Sequence, residues 1–151
     1  MMKPICPPDL SQRPLQLVAE RTMNASPAVL YRAWTEHFDR WLAAPGAVLM
    51  TAAVNEVCFW EIHFDGRRYP HYGRFLRLER DRLVELTWLS SGTKGFETIV
   101  TVELSPIGRR THLHLTHAGF PDEPSRAEHE RAWPDVLKQL DHRIAGERTE
   151  S

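Results

Sequence analysis

Six segments that alternate apolar and polar residues, separated by turns of a few residues each, fill the chain from position 47 to 119. Connections that short make sequence neighbours pair in space, so these segments must form an antiparallel meander. The turns can be read directly: Asp65-Gly66, Arg80-Asp81-Arg82, the Ser/Gly-rich stretch 90–95, and Pro106-Ile107-Gly108. Strands are expected at 48–51, 57–64, 69–79, 83–89, 96–104 and 111–116, and one more precedes them at 15–23. A period of two then assigns faces. Cys58, Trp60, Ile62 and Phe64 share one face, as do Val84, Leu86 and Trp88, then Val100, Val102 and Leu104, then Leu113, Leu115 and His117. The opposite positions are mostly polar, so one face of the sheet is apolar and aromatic and the other wet. Alternation fails around 72–78, and a bulge at Gly73 is expected to account for it.

Two stretches carry a helical period instead. Leu30, Ala33, Trp34, His37, Phe38 and Trp41 fall at i, i+3, i+4, i+7, i+8 and i+11, one apolar stripe. Ser26 followed by Pro27 starts that helix, which is expected to break near Phe38 and to end before Pro45-Gly46. Trp133, Leu137, Leu140 and Ile144 repeat the period in a last helix expected over 124–145. Pro134 removes a hydrogen bond to the Glu130 carbonyl, which predicts a kink or restart at Trp133. The order strand, short helices, hairpins, long helix describes an α+β domain with helices against one face of an antiparallel sheet. A kinked helix over a curved sheet is expected to leave a pocket with an open mouth.

With 151 residues, 42% hydrophobic and 26% charged, the chain has the composition of one globular domain. Residues 1–14, with four prolines, are expected as a flexible arm, 15–145 as the domain and 146–151 as a tail. A net charge of −1 offers no basic face to nucleic acid or an anionic membrane. Sixteen arginines against three lysines read as genome base composition. Cys6 and Cys58 make no disulfide framework, and no run is apolar enough for a membrane span or a signal sequence. A cytoplasmic protein, monomeric or weakly dimeric, is the expectation.

The candidate site is the apolar face itself. Trp60, Trp88, Phe64 and Trp133 converge between sheet and helix, either as plain core or as the walls of a ligand cavity. Trp34, Ile62, Val100, Leu115 and Leu137 extend those walls, and Tyr72, Thr98, His117 and the Cys58 thiol would be the polar groups within them. His117 is the most distinctive, either a polar contact for a ligand or a buried neutral imidazole bonded to backbone. His112 and His114 share the wet face beside Glu103, but two histidines without a third ligand hold no metal. Cys58 and His63 point to opposite faces, and Glu36 and His37 diverge around their helix, so neither pair is a catalytic dyad. The chain has no phosphate loop, no Gly-Xaa-Ser-Xaa-Gly and no His-Glu-Xaa-Xaa-His, so no cofactor and no catalytic residue is assigned.

The ordered set Ser26-Pro27, Ala33-Trp34, Trp41-Leu42, Gly73-Arg74, Arg82-Leu83-Val84, Thr87-Trp88, Thr98, Val102-Glu103-Leu104, Thr111, Leu113, Leu115 through Phe120, and Trp133, Leu137, Leu140 resembles the START-related, birch-allergen-like superfamily. Within it the chain most resembles the branch named after the activator of the heat-shock protein 90 ATPase, over residues 15–145. The resemblance implies a helix-grip fold: a curved antiparallel sheet of six or seven strands around a long C-terminal helix, with two short helices after the first strand. Asn55-Glu56, where relatives often carry a glycine pair, and Pro134 depart from the pattern and are expected to reshape the pocket. The superfamily includes carriers of lipophilic ligands, cyclase-like enzymes and a co-chaperone domain, so the fold alone does not choose among them. Binding of a small hydrophobic or amphipathic molecule is the first expectation. A chaperone partner is the second, and a cyclase- or hydratase-type enzyme the third.

Overall fold

The computed structural model describes residues 6–148, with side chains through residue 144. Seven strands form one antiparallel sheet: β1 Leu15–Met23, β2 Val48–Leu49, β3 Val57–Phe64, β4 Arg67–Glu79, β5 Leu83–Trp88, β6 Thr98–Ile107 and β7 Arg110–Phe120. Their order is β1-β7-β6-β5-β4-β3-β2, so the meander runs unbroken from β2 to β7 and β1 adds to its far edge. Between β1 and β2 come the helix α1, Pro27–Thr35, and a 3-10 turn at Phe38–Arg40. The long helix α2 covers Glu123–Arg148 and lies chiefly over β1. This is the helix-grip arrangement.

Local chemistry explains each boundary. The Ser26 hydroxyl accepts from the Val29 amide at 3.3 Å and Pro27 opens α1 without losing a bond. The Glu36 amide closes α1 on the Arg32 carbonyl, and the chain tightens into the Phe38 turn where the break was expected. Asp65 and Gly66 both take positive φ, 51° and 74°, as a two-residue hairpin turn of matching twist requires. The Asp122 carboxylate accepts from the Ser125 amide at 2.9 Å and caps α2.

Three expectations need correction. The β4 irregularity lies between Phe75 and Arg77, while Gly73 sits in regular register opposite Cys58. Gly73 answers a different need: a Cβ there would stand 2.3 Å from the Thr87 carbonyl oxygen and 3.2 Å from the Trp60 ring. α2 does not restart at Trp133 but runs on through Pro134; both Pro134 and Glu130 face solvent, where water can meet the freed carbonyl. Residues 146–148 extend α2, and 149–151 lie outside the described residues, as do 1–5 of the expected arm. The remainder of that arm touches the sheet. Arg13 donates to the Glu97 carbonyl at 2.8 Å and stands over the Phe96 ring at 5.0 Å, and Leu10 occupies the space left by Gly119.

α2 is held by its apolar stripe and by one polar clamp. Trp133, Leu137, Leu140 and Ile144 are at most 3% exposed, and burying such side chains stabilises by about 1.5–3 kcal/mol each. The buried Asp141 carboxylate accepts from Arg21 and from the Asn24 amide, tying α2 to β1 and to the entry of α1. Among the described residues no helix is long and apolar enough to cross a membrane.

The Gly73 contact gives a test of the β4–β5 packing. Because the obstructing atom is backbone, Gly73→Ala is expected to lower the unfolding free energy by about 3 kcal/mol or more in a urea titration. A change under about 1 kcal/mol would show that the two strands can part there.

Candidate functional site

The inward faces of β3 to β7, the Phe38 turn and α2 enclose an aromatic interior. Trp34, Trp60, Trp88, Thr98, Val100, Leu115, His117, Trp133 and Leu137 are all buried there, at most 3% exposed. Ile62 is half-buried against the same cluster. Rings meet in sequence: Phe38 to Trp60 at 5.0 Å, Trp60 to Trp88 at 4.8 Å, Trp88 to Trp133 at 5.2 Å, and Trp34 to Trp41 at 4.9 Å. These are tilted and edge-to-face separations, where aromatic pairs attract beyond simple burial.

Tyr72 does not join them. It lies 47% exposed on the outer face against Phe59, and Phe64, near the Asp65-Gly66 turn, is 70% exposed. The register Trp60↔His71, Phe59↔Tyr72 makes His71 the inward residue, stacked on Trp60 at 5.5 Å. That register could have been read from the two-residue turn, because pairing Phe64 with Arg67 carries Trp60 onto His71. Phe38 and Trp41 also belong to the interior; their places in the first helical stripe were the signal. His129 of α2, 5.1 Å from both His117 and Phe120, had no such signal.

Among the described residues this interior is tightly packed. Where an open mouth was expected, Phe38 and Trp41, both fully buried, occupy the space between α1, β3 and α2. One depression lined by described residues lies elsewhere, about 370 Å³ along α2 between Asp135, Lys138, Gln139, His142 and Arg143, and open to solvent.

His117 sits in a closed chain of hydrogen bonds. The Thr98 hydroxyl donates to the Trp88 carbonyl at 2.5 Å, so its oxygen accepts from His117 Nε2–H at 2.7 Å. His117 Nδ1 then carries the lone pair that accepts from the Trp133 indole at 3.1 Å. These partners assign a neutral imidazole protonated on Nε2. A second proton would set Nδ1–H against the indole N–H, and burial, with His129 nearby, keeps the His117 pKa well below the ordinary histidine value. Both nitrogens are engaged, so neither is free to take a proton from a bound molecule. His71 bonds the Tyr69 carbonyl through Nδ1 at 2.9 Å, and burial lowers its pKa to about 4. The Cys58 thiol, raised by burial to about 11, stays protonated and is a poor nucleophile.

Among the described residues four buried side-chain nitrogens lack a hydrogen-bond partner: Arg13 Nε and His114 Nδ1 outside this interior, and two indole donors within it. The Nε1–H groups of Trp34 and Trp60 are out of water and meet no acceptor. Trp41 and Trp133, by contrast, donate to the Ala33 carbonyl and to His117. A buried donor left unpaired costs about 1–3 kcal/mol. The Phe38 ring touches both tryptophans, at centroid distances of 5.9 and 5.0 Å, and offers neither of them an oxygen or nitrogen. On the outer face, His112 bonds Glu20 at 3.0 Å, and among the described residues no group of three or more His, Cys, Asp or Glu side chains could hold a metal.

The model of the activator of Hsp90 ATPase homolog 1-like proteins matches residues 24–145. The chain belongs to this family. None of the curated proteins matches it. Among solved structures, a Chromobacterium violaceum protein aligns at TM-score 0.74 with 24% identity, over 87% of this chain and 98% of its own. A Mesorhizobium loti protein aligns at 0.69 with 23% identity, over 87% and 97%. The Aha1 dimer from Colwellia psychrerythraea aligns at 0.63 with 18% identity, over 84% and 93%. Likenesses this remote in sequence establish a shared fold and carry no residue roles.

The neutral imidazoles have a measurable consequence. Below about pH 6.5 the unfolded chain binds protons that folded His71 and His117 refuse, so their stabilisation is complete above that pH and lost as pH falls. Replacing His71 by Phe is expected to flatten the fall in unfolding free energy between about pH 6 and pH 4.5 by about 1.4 kcal/mol per unit. An unchanged slope would mean that His71 titrates normally in the fold.

Proposed function

We propose that this member of the activator of Hsp90 ATPase homolog 1-like family binds a small hydrophobic or amphipathic molecule between the sheet and α2. The observation that supports the reading is the pair of buried, unpartnered indole donors on Trp34 and Trp60. A plain core of this aromatic content would be more stable with both donors satisfied, whereas a binding site keeps donors for its ligand. Phe38 is the side chain to be displaced. It belongs to a three-residue 3-10 turn with no side-chain cap, and its ring is held by packing alone. Trp41 anchors the turn meanwhile, its carbonyl accepting from Gln139 and Arg143 of α2. Opening therefore means a swing of the Phe38 ring and not loss of the whole turn.

A second reading has its own support. Leu49, Phe59 and Tyr72 pair across β2, β3 and β4 as an apolar row on the outer face, with Leu49 72% exposed. Such a row suits a protein partner, and the family's namesake activity on a chaperone gives that partner a class.

A thermal-shift screen against sterols, flavonoids and polyketide-like aromatics tests the first reading. A ligand at a hundredfold excess over Kd adds about 2.7 kcal/mol, a rise of about 5–10 °C for a domain of this size. The shift is expected to vanish in Trp60→Ala. A flat screen, with purified heat-shock protein 90 binding the wild type and not Tyr72→Asp, would favour the second reading instead.

A further inference from the structure

We infer that the ligand of the interior site is an uncharged aromatic molecule carrying a hydrogen-bond-accepting oxygen, a ketone or lactone carbonyl rather than a carboxylate. This rests on the interior-binding reading and narrows it to a chemical class. The donors decide the acceptor. The Trp34 and Trp60 indoles have N–H protons and no lone pair, so only an acceptor can satisfy them. Both tryptophans contact one ring, Phe38, so a molecule taking the place of that ring lies against both indoles.

The surroundings decide the charge. Among the described residues, the buried polar side chains are hydroxyls, the His71 and His117 imidazoles and the Asp141 carboxylate, with no Lys or Arg. His117 is fixed neutral by Trp133 on one side and Thr98 on the other. A carboxylate brought among these rings would lose its hydration and find no cation, a far larger loss than two neutral hydrogen bonds restore. An ammonium would meet two N–H donors and no free anion, because Asp141 is already committed to Arg21 and Asn24. A carbonyl oxygen meets neither difficulty. Its ring system replaces Phe38 among Trp34, Trp41 and Trp60 at the same stacking distances.

Three probes of one shape separate these cases: 2-acetylnaphthalene, 2-ethylnaphthalene and 2-naphthoate, titrated at pH 8 into the ¹⁵N-labelled full chain. The expected result is that the ketone binds at least tenfold more tightly than the ethyl compound, and 2-naphthoate most weakly. The indole N–H proton of Trp34 or Trp60 should move downfield with the ketone alone. The indole signals of Trp41 and Trp133, whose N–H groups already donate, should show no such ketone-specific shift. Trp34→Phe and Trp60→Phe assign the signals and should erase the preference for the ketone; if either fails to fold, the wild-type indole shifts decide. Equal binding of ketone and ethyl compound without an indole shift overturns the inference and leaves the interior site standing. Tightest binding by 2-naphthoate overturns it too. No binding by any of the three overturns this inference, and together with a flat thermal-shift screen it overturns the interior-binding reading as well.

Discussion

The interior depends on one hydrogen-bonded chain: Trp133 to His117, His117 to Thr98, Thr98 to the Trp88 carbonyl. It joins α2, β7, β6 and β5 through groups that are all at most 3% exposed. Each donor in it has one acceptor and each acceptor one donor, so the chain has a single consistent direction. Reversing His117 to its other tautomer would break the contacts at both ends. Such a fully paired polar strip inside an apolar space specifies which helix face meets which strands, where hydrophobic burial alone would accept several. The Asp141 clamp does the same work further along α2, against β1.

With α2 fixed, the aromatic rings have little freedom. Trp133 contacts Trp34 and Trp88, Trp88 contacts Trp60, and Trp60 lies over Gly73, where a Cβ would stand 3.2 Å from its ring. Phe38 is the exception in kind. Its ring comes from a three-residue turn rather than from the sheet or a long helix, and it is the contact shared by both unpaired indoles. The interior therefore combines a fully paired polar strip with one side chain, Phe38, that is held by packing alone and meets Trp88 at 6.4 Å. A binding site needs that combination: fixed walls and one element that can yield.

Much of this architecture was legible because hairpin chemistry is local. Asp65-Gly66, the Ser26-Pro27 start and the period-two faces of β5, β6 and β7 mark their elements without reference to the rest of the chain. The ligand-facing assignment of Tyr72 failed for a non-local reason. Its face is set by register across the β3–β4 turn, and one residue of slip exchanges Tyr72 for His71. Pro134 misled in another way, since its cost depends on whether the freed carbonyl meets water, a matter of which side of α2 it occupies. That Phe38 and Trp41 would fill the space rather than frame it follows from the tight turn after Thr35, which apolar periodicity does not encode. The partners of His117 were hidden for the same reason, because Thr98 and Trp133 reach it only through tertiary packing.

The most direct measurement is the protonation state of His117, read from long-range ¹H–¹⁵N correlations of the histidine rings between about pH 8 and pH 5. A closed chain from Trp133 to Trp88 requires a neutral ring protonated on Nε2 throughout that range, with a bare Nδ1. A proton on Nδ1, or a midpoint near the ordinary histidine value of about 6.5, would contradict it.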